Sequence, residues 1–169
     1  MTPTPHNWPR PKTRAAFHEA GHCVAALHFG YTVGNVYIRQ AAGPLILGQP
    51  QFEGHIEFPH RGHSRTDHRI VVVAGEVAEF ILLGWADWES INLGLCDGFD
   101  SRDLTPENLP LAVSRAVEIL TRKWAFVSDI AELLESEERL EAYMVKGLWQ
   151  CEIAGDYLRE KRATGGTEQ

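Results

Sequence analysis

Cysteine is scarce in this chain. Cys23, Cys96 and Cys151 stand far apart, odd in number, with no C-x-x-C pair. Neither a disulfide framework nor a cysteine-built zinc knuckle is supported, and the thiols read as idle side chains in a reducing, cytoplasmic setting. Long apolar runs are missing too. The longest, around Ile70–Ala74, falls far short of the ~20 residues that span a bilayer. The segment from Met1 to Pro11 holds four prolines and no apolar stretch, so it is not expected to be a secretory signal. Positive charge is in deficit: 16 Lys and Arg against 23 Asp and Glu give a net charge of −7. A protein that neutralises phosphates needs clustered cations, so nucleic acid is not an expected partner.

What remains is an ordinary globular composition, 44% apolar and 23% charged over 169 residues. A chain of that length buries roughly 70% of its unfolded surface and needs no covalent staples. The pattern predicts one domain over residues 13–161, a flexible N-terminal arm over 1–12 and a disordered tail over 162–169. The expected class is α+β, mostly α-helical, with a small β-sheet.

Thr13 is the expected cap of a first helix running to about Phe29 and closed by Gly30. Val33–Gln40, Leu45–Gly48 and Gln51–Phe58 read as short strands, with a turn at Gly43-Pro44. Ser64 or Thr66 caps a second helix ending near Gly84. It is apolar all round in the middle and so is expected to be buried. Thr105-Pro106-Glu107 reads as a cap followed by proline at the first helical position. Apolar residues then recur at helical spacing from Leu109 to Trp124. A helix pair is expected over about Ser128–Lys161, its glutamates from Glu132 to Glu141 forming a solvated face.

The chemistry concentrates in His18-Glu19-Ala20-Gly21-His22, inside the first helix. Residues four apart share a helix face, so two imidazoles can grip one ion. Glu19 is rotated by about 100° from His18 and lies beside that ion. There it can take a proton from zinc-activated water and pass it to a leaving amine. Ala20 and Gly21 are small enough for another segment to pack close to this face.

A catalytic zinc needs a third protein ligand and one open position. His28 has the spacing of H-E-x-x-H-x-x-G-x-x-H enzymes, but Ala25 stands where the glycine belongs. In an unbroken helix His28 is about 9 Å further along the axis than His22 and turned away by about 120°. Glu79, in a helix expected to be buried with Glu76, is a candidate ligand, or a partner that supports a ligand or an ion pair. Asp103 is another candidate, with Asp97 and Asp100 as neighbouring substitutes.

Phe17-His18-Glu19-Ala20-Gly21-His22, followed by Cys23-Val24-Ala25-Ala26, resembles the peptidase domain of the FtsH family of zinc metalloproteases. Later features keep the same order. Val36-Tyr37-Ile38 with Leu47-Gly48 and Phe52 is similar to the family's strand pair. Ala74-Gly75-Glu76-Val77-Ala78-Glu79 is similar to its A/G-G-R-x-A-E helix, and Ser101-Arg102-Asp103-Leu104 to its S-N-D-hydrophobic segment. The resemblance covers about residues 13–130. It implies a zincin-type domain in which His18, His22 and Asp103 hold Zn2+ and Glu19 is the general base. No G-x-x-x-x-G-K-[ST] and no membrane span accompany it, so the standalone peptidase domain is the comparison. A peptide or unfolded protein is the expected substrate, with a separate ATPase as a possible partner. A non-catalytic peptide-binding or regulatory module that keeps fold and metal is the alternative. His55, His60, His63 and His68 read as a solvated loop, or more sharply as a lid or auxiliary metal contact.

Overall fold

The computed structural model describes residues 9–46, 48–57, 64–85, 88–91 and 103–163. Within them the chain is α+β and mostly helical. Helices α1 (Pro11–His28), α2 (Arg65–Leu82), α3 (Leu109–Arg122), α4 (Trp124–Glu137) and α5 (Ala142–Ala163) accompany three strands, β1 (Val36–Gln40), β2 (Phe52–Ile56) and β3 (Arg139–Leu140). The strands form an antiparallel sheet in the order β2-β1-β3. No helix among the described residues is long and apolar enough to cross a membrane.

α1 is the central element, packed against α2, α4 and the sheet. Ala16, Ala20, Cys23 and Val24 are fully buried along it. Its start differs from expectation. Pro11 opens the helix, where a fixed φ and a missing N–H cost nothing. Residues 11 and 12 therefore belong to α1 and not to an arm. Thr13 caps nothing; its hydroxyl donates to Glu135 Oε1 of α4 at 2.8 Å. The end is as expected: Gly30 takes φ +76°, a conformation open to glycine, and its N–H returns to the Leu27 carbonyl.

The seam between α1 and α2 is made by small residues. A Cβ on Gly21 would overlap the Ala74 carbonyl oxygen and stand 2.7 Å from Ala78 Cβ. The obstacle is backbone, which cannot swing aside. Gly21→Leu is expected to force the helices apart and lower stability by about 3 kcal/mol, outweighing the ~1 kcal/mol gained in helix propensity. A fall in the urea midpoint checks this; an unchanged or higher midpoint would show that the seam can open freely.

α2 starts as read from the sequence, with Ser64 Oγ accepting from the Asp67 N–H at 3.0 Å. Packed between α1 and α3, it buries Ile70 through Ala78 without a break. This explains why its apolar residues show no single stripe.

Several expected elements are corrected. The strand expected over Leu45–Gly48 is reduced to a bridge between Ile46 and Gln49. Leu45 and Ile46 are exposed there, so no buried face rewards a longer strand. Thr105-Pro106-Glu107 is a turn ahead of α3, not its cap. Asn108 Oδ1 accepts from the Thr105 N–H, and Pro110 is the proline in the first turn of α3. The apolar repeat from Leu109 to Trp124 spans a break at Lys123, after which α4 begins. Residues 162 and 163 extend α5 into the expected tail. β3 had no signal in the sequence, because two residues carry no periodicity. Glu138, at φ 60°, ends α4 and its carbonyl accepts from the Ile38 N–H at 2.8 Å.

Candidate metal centre

His18 and His22 present their Nε2 atoms to each other at 3.0 Å. Two nitrogens bound tetrahedrally to one zinc at ~2.05 Å stand about 3.3 Å apart, so the pair is close to ligand spacing. Each ring is held from behind. His22 Nδ1–H donates to the Val71 carbonyl oxygen of α2 at 2.7 Å. A carbonyl only accepts, so this nitrogen carries the proton, and in the neutral ring Nε2 keeps its lone pair. His18 Nδ1–H donates to Glu79 Oε1 at 2.8 Å, fixing the same tautomer. Two lone pairs at this separation repel unless something positive lies between them, a proton or a metal ion.

The space before them is kept clear by Gly75 of α2. A Cβ there would stand 2.5 Å from His22 Nε2 and 2.6 Å from His18 Nε2. Glu79, one turn further along α2, also receives Arg14 of α1: Nε at 2.9 Å and Nη2, both on Oε2. Burial works against ionisation of Glu79, but His18 and Arg14 outweigh it and hold the carboxyl below its usual range.

Glu19 is only 4% exposed and is pressed against β2. A Cβ on Gly54 would overlap its Cγ and Oε1. In β2, Phe52, Gly54 and Ile56 turn inward while Glu53 and His55 turn out, so the strand period places the glycine against the carboxylate. His18, Glu19, Glu76 and Glu79 share a cleft of about 430 Å3 with Phe52 and Gly54. Cys23, one helical turn after Glu19, is fully buried; burial first and Glu19 second push its thiol far up, so it stays protonated.

The structure thus brings together His18, His22, Glu19 and Glu79, the last beside His18 Nδ1, away from the facing Nε2 atoms. It does not gather Asp103 with them. The Asp103 carbonyl oxygen accepts from Arg69 Nε of α2 at 2.8 Å and from Asn108 Nδ2 at 3.1 Å. Among the described residues, no three His, Cys, Asp or Glu side chains converge as a metal-binding group. Asp97 and Asp100 lie outside the described residues, as do His60 and His63. His28 lines a separate cleft of about 610 Å3 at the far end of α1, with Phe29, Ile70 and Arg122, as its helical position requires. His55 and His68 are not loop residues. His55 lies in β2, its ring 5.4 Å from that of its cross-strand partner Tyr37, and His68 is in the first turn of α2.

Sequence reasoning missed Arg14, the Val71 carbonyl, and the roles of Gly54 and Gly75. Arg14 had a signal, standing four residues before His18 on the same face. Glycines inside a strand and a helix are also a signal of close approach. The Val71 carbonyl had none, since any residue offers one. No model of a known protein family matches this chain, and no curated protein matches it.

Proposed function

We propose that this chain is a zinc metallopeptidase domain, similar to that of the FtsH family. The observation that carries the reading is the pair of facing Nε2 atoms, both Nδ1–H groups engaged and Gly75 clearing the space before them. Burying His22 and Glu76 between α1 and α2, and Glu19 against β2, costs stability that apolar residues would not. Such an arrangement is expected where a site is kept for chemistry.

His18 and His22 would hold the ion, with Asp103 proposed as third ligand. Its main chain is tied to Arg69, two residues before the Val71 that fixes His22. Bound zinc would supply Lewis acidity at the scissile carbonyl and make water acidic enough to attack at neutral pH. Glu19 accepts the proton of the attacking water and delivers it to the leaving amine. β2 is an edge strand among the described residues, and Gln51 to Gly54 line the cleft. An extended peptide can therefore add to that edge through main-chain hydrogen bonds. The proposed substrate is a peptide or unfolded protein, delivered where needed by a separate ATPase.

The test combines metal analysis, anomalous scattering at the zinc edge and cleavage of a library of unstructured peptides. Near-stoichiometric zinc between the two rings, with cleavage, supports the reading. Zinc in place with no peptide cleaved would favour a binding module that keeps fold and metal. Absence of metal from protein purified in zinc-replete medium would overturn both.

A further inference from the structure

We infer that Arg14 is a positioning residue for the metal centre, acting on His18 through Glu79; the inference rests on the zinc reading above. The three side chains form one chain of contacts. Arg14 Nε and Nη2 both donate to Glu79 Oε2, and Glu79 Oε1 accepts from His18 Nδ1–H at 2.8 Å. Arg14 and His18 stand four apart on α1, so both project from one face of one helix, while Glu79 reaches across from α2. Each carboxylate oxygen thus has its own duty. A glutamate bound only through His18 could swing about its side-chain torsions. With two donors on the other oxygen it is fixed in the plane that keeps His18 Nε2 aimed at His22 Nε2.

His22 needs no such device, because its Nδ1–H meets a carbonyl of the α2 backbone, which is rigid. The two rings are therefore held by different means, one by main chain and one by a side chain that itself needs an anchor. Arg14 lines the cleft, and its contact with His18 runs through Glu79, whose Oε2 takes both guanidinium donors. Groups that support metal ligands from behind typically alter affinity by ~10–100-fold. One contact further out, Arg14 is expected at the low end of that range.

The experiment measures zinc affinity by competition with a chromophoric chelator, and the absorption spectrum of the Co2+-substituted protein. Wild type, Arg14→Gln, Arg14→Lys, Glu79→Gln and the double variant Arg14→Gln/Glu79→Gln are compared. Arg14→Gln is expected to weaken zinc binding by about tenfold and to alter the Co2+ spectrum. Arg14→Lys, which keeps one charged donor, is expected to recover most of that loss. In the Glu79→Gln background, Arg14→Gln is expected to change affinity by less than about twofold, because its route is already cut. Wild-type affinity and spectrum in Arg14→Gln would overturn the inference, even with a lower melting temperature, since that is a merely structural effect. Fully additive losses in the double variant would overturn it too. If Arg14→Gln does not fold, Arg14→Met takes its place, since it also removes both donors to Glu79: zinc binding weaker by about tenfold supports the inference, and wild-type affinity and spectrum overturn it. If wild type itself binds no zinc, the zinc reading fails, an outcome distinct from a failure of Arg14 alone.

Discussion

Glu19→Gln is expected to lower peptide hydrolysis by ~10²–10⁴-fold, the usual contribution of a general base, while zinc content stays unchanged. The substitution is nearly isosteric. The amide fits the same space beside Gly54 and leaves His18 and His22 in their hydrogen bonds. What is lost is a group that can accept a proton from the attacking water. Burial at 4% exposure makes the contrast sharper, because no bulk water stands ready to replace the carboxylate. Rates on an unstructured peptide and zinc per protein, measured on the same samples, check the expectation. A variant as active as wild type would remove Glu19 from the chemistry. Loss of zinc along with activity would instead make the carboxylate a ligand.

Gly75→Ala is expected to weaken zinc binding by more than about a hundredfold, beyond the effect of losing a supporting group. In an α-helix this change ordinarily stabilises by ~1 kcal/mol. Here the added methyl would stand 2.5–2.6 Å from both Nε2 atoms, well inside van der Waals contact. The rings cannot simply rotate away, because each is held at Nδ1. Either those hydrogen bonds break or the methyl occupies the place of the ion, and both outcomes remove the metal. Far-UV circular dichroism should show the helices intact while chelator competition shows the affinity lost. Retention of zinc at wild-type affinity would mean that the ion sits elsewhere.

Much of this arrangement is legible along the chain, and the reason is local geometry. The pairing of His18 with His22 follows from helical spacing. The rejection of His28 as their companion follows from the same spacing, and its separate cleft agrees. The first turn of α2 is written in Ser64 and Asp67. The smallness of Ala20 and Gly21 announces a close helix contact, which α2 supplies. Element ends were less legible where two signals compete. Pro11 outweighs Thr13 as a helix start, and Asn108 with Pro110 outweighs Thr105 with Pro106.

By itself, the sequence determined which helix carries the two imidazoles and the carboxylate between them, because that depends on residues four apart or adjacent. Only the tertiary structure decided how the rings are aimed. Glu79 and the Val71 carbonyl come from a helix about 50 to 60 positions away, Arg14 enters through Glu79, and Gly54 meets Glu19 from a strand edge. No spacing rule links those positions. They meet because α1 packs between α2 and the sheet, and packing is a property of the whole chain.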